Sequence, residues 1–93
     1  MRLVWSERAR AELKQIVTFI AARNSQAATE LGDRIESCVE RLTDHPFMYR
    51  IGRAQGTREA VVHPNYIVIY EVGSDSVTIR NVIHSRRQYP PGE

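Results

Sequence analysis

With 93 residues, 42% of them apolar, the chain can build one hydrophobic core and not two, so a single domain over residues 1–93 is expected. Thirteen basic against eleven acidic side chains leave a net charge of +2, far from the basicity of a dedicated nucleic-acid binder. The single cysteine, Cys38, excludes an internal disulfide and a cysteine-held zinc and suits a reducing cytoplasm; no apolar run has the length of a signal peptide or a membrane span, so no membrane association is expected.

In chain order, Leu3, Val4 and Trp5 form a β-prone run, and a short opening strand over Arg2–Trp5 is expected. Ser6 is a natural helix N-cap. Ala9, Leu13, Ile16, Val17 and Ile20 then recur on one helical stripe, which predicts a first helix ending near Arg23. Asn24 and Ser25 break it, and Ser25 is read as the cap of a second helix with apolar positions Ala28, Leu31, Ile35, Cys38, Val39 and Leu42. Gly32, inside that helix, is read as allowing close helix packing, and Pro46 as the residue that stops it.

Residues 46–57 hold two glycines and no usable periodicity, and read as a loop crossing from helices to sheet. Three strands follow over Arg58–His63, Tyr66–Val72 and Ser76–His84, joined through Pro64-Asn65 and Gly73-Ser74-Asp75. Hairpin linkage makes them antiparallel, and the apolar middle strand is the central one. One face of this sheet is the only large apolar partner for the helices. The expected fold is α+β: an N-terminal strand, a two-helix antiparallel hairpin packed on one sheet face, and a three-stranded antiparallel meander.

Chemistry-bearing patterns are few. His45, His63 and His84 lie far apart, no paired-histidine or paired-cysteine spacing occurs, and neither a nucleophile elbow nor a glycine-rich phosphate loop is present, so no metal or cofactor is expected. Twelve of the thirteen basic residues are arginines, and the excess lies in the second half: six arginines in residues 46–93 against Glu59, Glu71, Asp75 and Glu93. Arg50, Arg53, Arg58, His84, Arg86, Arg87, Gln88 and Tyr89 form a candidate anion-binding or partner-binding group. Arginine presents a planar fork to phosphate or carboxylate, histidine can move a proton, and an aromatic ring can stack on an unpaired base. A plain set of solvated arginines is the equal alternative on these grounds.

The order Trp5, helical hairpin, Pro46, Arg53, Gly56-Thr57-Arg58-Glu59, Tyr66 to Tyr70, then His84-Ser85-Arg86-Arg87-Gln88-Tyr89-Pro90 resembles the ParE/RelE group of bacterial type II toxins over nearly the whole chain. That resemblance implies a toxin held silent by a cognate, ParD-like antitoxin with a DNA-binding N-terminal domain, in a hetero-oligomer. It implies one of two activities: cleavage of messenger RNA at the ribosome, or inhibition of DNA gyrase. In the RNA-cutting branch a basic residue follows the first tyrosine of the middle strand, where this chain has Ile67, and basic residues alternate along the preceding strand, where Arg58 fits and Ala60 does not. A ribonuclease reading would rest on Arg58, His84, Arg86 and Tyr89. The ending His84, Arg87, Gln88 and Pro90 looks like the ParE branch, so a non-enzymatic gyrase inhibitor is expected, with the ribonuclease and a non-toxic antitoxin-binding module as alternatives. The antitoxin's apolar residues are expected along the helical hairpin, and its acids at Arg53, Arg58 or Arg86.

Overall fold

Ser6 is where strand becomes helix. Its backbone is extended, its Oγ accepts the Ala9 N–H at 3.0 Å, and the same hydroxyl donates to the Arg80 carbonyl at 3.0 Å, tying this junction to a strand 74 residues away. In the computed structural model, which describes residues 1–87, the junction joins strand β1 (Arg2–Trp5) to helix α1 (Glu7–Ala21). Helix α2 (Ser25–Leu42) follows, then strands β2 (Arg50–Ile51), β3 (Arg58–His63), β4 (Tyr66–Val72) and β5 (Ser76–His84).

Both helix boundaries between the hairpin arms move slightly from the expected places. Asn24, not Ser25, caps α2: its side-chain oxygen accepts the Ala27 N–H at 3.0 Å, and Ser25 is the first helical residue. An asparagine carbonyl reaches the N3 amide as well as a serine hydroxyl does, so the two adjacent candidates compete and backbone geometry decides. At the far end α2 closes at Thr43, ahead of Pro46. A proline bars its predecessor from helical angles, and here a turn with Asp44 and His45 N–H both bonded to the Arg41 carbonyl comes in between.

The strands form one sheet in the order β1-β5-β4-β3-β2. The antiparallel meander β3-β4-β5 has the bounds read from sequence. Two features were not legible there. β1 lies parallel against β5, with Leu3 opposite Val77 and Trp5 opposite Ile79, so the sheet is mixed. The crossing loop contains β2, antiparallel to β3 with Arg50 opposite Glu59. Two residues are too few to leave a periodicity. Glycines make this hairpin: Gly52 N–H donates to the Thr57 carbonyl at 2.8 Å, and Gly56 sits at φ 79°, a left-handed conformation other residues resist.

The α2 stripe of Leu31, Ile35, Cys38, Val39 and Leu42 packs with Ala60, Val68, Tyr70, Val77, Ile79 and Val82 of the sheet as the main core. Alternation along β4 and β5 puts Ile67, Ile69 and Ile83 on the other face, where they form a second cluster. Helix α1 is held less deeply: Ala9 is its one fully buried residue, and Leu13, Ile16 and Ile20 are half-covered. Gly32 does not serve close helix packing, because a Cβ there would meet nothing within 4 Å. It borders an open groove instead. Gly52 is the glycine under steric demand: a Cβ would collide with Thr57 Oγ1 and come within 3.1 Å of the Thr57 carbonyl. Gly52→Ala should therefore lower unfolding stability by about 1–3 kcal/mol, read as a lower urea midpoint at unchanged slope, whereas Gly32→Ala should raise it slightly.

Candidate functional site

The sequence-derived arginines are not one patch of free cations: Arg50 and Arg53 share the Glu59 carboxylate, Arg58 holds backbone carbonyls and Arg87 pairs with Glu12, while Arg86 is exposed. Glu59, on β3, is 2% exposed, and its carboxylate collects three donors. Arg50 Nη2 reaches Oε1 at 3.0 Å, while Arg53 gives its backbone N–H (2.8 Å) and Nε (3.1 Å) to Oε2. The hairpin places these groups because Arg50 and Glu59 are directly opposite in register, so their side chains share a face. Arg58, one residue before Glu59, faces the other way. Its Nη1 donates to the carbonyls of Tyr49 (2.8 Å) and Phe47 (3.4 Å), and its guanidinium lies 4.9 Å from the Phe47 ring centroid.

The C-terminal group sits at the end of β5. Arg87 pairs with Glu12 of α1 at 3.2 Å, and the other oxygen of that carboxylate accepts from the Val82 N–H and the Asn81 amide. His84 Nδ1 accepts the Arg86 N–H at 3.1 Å, and its ring meets the Tyr66 ring edge-on at 5.4 Å. Arg86 is exposed. Gln88 and Tyr89 lie outside the described residues. Two residues that organise these groups, Glu59 and Glu12, were missed in the sequence. Glu59 had a signal, as the single acid among the arginines of the hairpin region; Glu12 had none, since its partners are about seventy positions away.

Another site emerges from packing. Leu3, Trp5, Leu13, Val17, Ile35 and Val39 line a mostly apolar groove of about 780 Å³ along the helical hairpin, and Asp33, Glu36 and Glu40 stand on its rim. Apolar grooves of this size are the kind of surface on which ligands or partner segments dock. Cys38, by contrast, is buried, and burial pushes its thiol above the ordinary value, so it remains a neutral packing group.

Burial, the largest single influence on Glu59, pushes its carboxyl up; the Arg53 backbone N–H, the Arg53 guanidinium and Arg50 together outweigh it and hold the group below the ordinary carboxylate value. A folded-state value below the unfolded one contributes stability that is present above the unfolded value of 4.5 and is lost as pH falls through the folded one. Glu59→Gln should thus be less stable than the parent at neutral pH by about 1–3 kcal/mol, as expected for a buried acceptor replaced by a weaker, mismatched one. The gap should narrow below the ordinary carboxylate range, which denaturant titrations at stepped pH would measure.

The sequence relationships agree with this architecture. The profile described as the ParE toxin of type II toxin-antitoxin system, parDE, matches residues 3–89. A putative toxin, Y4kP, of Sinorhizobium fredii is 34% identical over 90 residues, covering 96% of this chain and 93% of the relative. Toxin RelE2 of Caulobacter vibrioides is 31% identical over 86 residues, covering 92% and 97%. Among solved structures, the fold is shared with a chain of the chromosomal ParDE system of P. aeruginosa (TM-score 0.78, 18% identity, 90% and 95% covered) and with a YafQ point mutant of E. coli (TM-score 0.62, 15% identity, 91% and 94% covered). The chain is a member of the ParE toxin family of type II toxin-antitoxin systems, within the ParE/RelE superfamily.

Proposed function

We propose that this toxin arrests growth by binding a protein target, DNA gyrase, and not by cutting RNA. The carrying observation is the buried Glu59 carboxylate between Arg50 and Arg53. Phosphoryl transfer needs cations free to meet the charge that develops on phosphorus. Here two arginines already face a carboxylate, and a phosphate approaching them would meet that buried negative charge. Of the arginines that a ribonuclease reading would use, Arg58 is committed to backbone carbonyls, which leaves Arg86 alone exposed among the described residues of that set. The positions at which the RNA-cutting branch carries basic side chains hold Ile67 and Ala60, both apolar and buried. Purified gyrase tests the reading: supercoiling should be inhibited and cleavage complexes should accumulate at micromolar toxin. Unchanged gyrase, together with new message ends in primer extension after toxin induction, would replace it with the ribonuclease reading.

Family membership implies a cognate antitoxin, and the apolar groove of the helical hairpin supports a location for it. An antitoxin segment that orders on binding must bury apolar side chains to offset its ordering cost. Because Asp33, Glu36 and Glu40 edge the groove, the segment over α2 should carry lysine or arginine beside its apolar stripe. Its acids are expected at Arg53, Arg58 or Arg86; of these only the exposed Arg86 can be charge-reversed without also disturbing contacts to Glu59 or to the loop carbonyls. Val17→Glu, in the groove, should weaken antitoxin binding at least about tenfold, the equivalent of one lost apolar anchor, and leave the circular dichroism spectrum unchanged. Undiminished affinity by isothermal titration would remove the groove from the model of neutralisation.

A further inference from the structure

The segment between α2 and β2 displays large apolar side chains to solvent: Phe47 is 63% exposed, Met48 49% and Ile51 77%. None of them borders the groove of the helical hairpin. Exposed apolar groups on a slack loop would need no explanation, but this segment is fastened. The hydroxyl of the fully buried Tyr70 donates to the Pro46 carbonyl at 2.8 Å. Arg58 holds the carbonyls of Phe47 and Tyr49 and lies against the Phe47 ring, and the Met48 N–H donates to the His45 carbonyl at 3.2 Å. Side chains of β3 and β4 thus fix the backbone that presents the apolar groups, so little ordering cost remains for binding. At Ile51 the edge of the sheet is open as well. The Gly52 N–H points across to the Thr57 carbonyl, so by alternation along β2 the Ile51 N–H and C=O point away from β3.

The surrounding charge identifies what fits. Arg41, Arg50, Arg53 and Arg58 flank this edge, against Asp44 and the buried Glu59. A second copy of the chain would bring the same arginines face to face. Nucleic acid would satisfy the arginines and leave Phe47, Met48 and Ile51 without a pocket. A protein surface with carboxylates around an apolar pocket satisfies both.

We propose that the Phe47–Met48–Ile51 edge is the surface by which this toxin grips its protein target, at an acidic, apolar-centred patch, separately from the antitoxin groove. The inference rests on the reading of the protein as a toxin with a protein target. The test compares Ile51→Glu, and the triple variant Phe47→Ser, Met48→Ser, Ile51→Ser, with the parent toxin. Growth arrest on induction, inhibition of purified gyrase, and affinity for the cognate antitoxin are measured in each. Ile51 is the most exposed of the three, so its variant reports even if the triple variant folds poorly. Both variants should lose growth arrest, and the concentration for half-inhibition of gyrase should rise at least about tenfold, while antitoxin affinity stays within a factor of about three. Ile51→Glu that arrests growth as the parent does overturns the proposal, and so does a folded variant that loses antitoxin affinity along with toxicity. A parent that arrests growth without touching gyrase refutes the choice of gyrase alone, because the growth assay still compares the variants; a parent that arrests nothing sinks both readings.

Discussion

The structure depends on one topological constraint: the chain leaves the sheet at one edge and re-enters it at the other. β1 lies outermost beside β5, and β2, the next strand in sequence, lies outermost beside β3. Residues 6–49 must therefore cross four inter-strand spacings, roughly 19 Å, and a pair of antiparallel helices laid over one face does so. Helix α1 packs on β5 and α2 on β3, strands that are two spacings apart, close to the 8–10 Å at which helices pack side by side. The Ser6 hydroxyl, bonded to both the first turn of α1 and the Arg80 carbonyl, sets where that crossing begins. The apolar groove is a consequence: α2 is driven onto the sheet along its whole stripe, whereas α1 keeps Leu13 and Val17 half-covered beside it.

Charge is distributed around this frame with the same asymmetry. The rim of the groove is acidic, through Asp33, Glu36 and Glu40, and the opposite β2 edge is basic. A net charge of +2 conceals this division. What keeps the basic edge compact is Glu59: without a buried carboxylate, Arg50 and Arg53 would repel each other across a hairpin only two residue pairs long. Two half-exposed arginines and one buried acid leave a residual positive charge at the surface, which favours acidic partners, and both arginines are already paired with a carboxylate.

Long, periodic segments were legible in the sequence, and short or non-local features were not. The α2 stripe, the three meander strands and the Ser6 cap follow from spacing and local chemistry, which is why all six apolar positions read for α2 are the ones found buried. β2 escaped because its two residues carry no alternation, and its existence depends on Gly52 and Gly56 bending the chain back. The parallel partner of β1 escaped because nothing local encodes a neighbour more than seventy positions away. The roles of the candidate residues were read from residue type alone. An arginine is a ligand or a strut according to what faces it, and for Arg53 and Arg58 what faces them is the carboxylate of Glu59 and the carbonyls of residues 47 and 49.

On the proposed readings, two apolar surfaces of opposite surrounding charge keep neutralisation and attack apart. A segment filling the groove completes the burial of α1, the least covered element, so the bound state is the more stable one; at a free antitoxin concentration of a hundred times Kd the gain is about 2.7 kcal/mol. The fastened Phe47 loop needs no such completion, because Arg58 and Tyr70 hold it from within the fold. If the antitoxin fills the groove as proposed, its loss uncovers the helical side of the molecule and leaves the β2 edge as it was. On these proposals the toxin is released with its gripping surface already formed, since the contacts that fasten that loop lie within the fold.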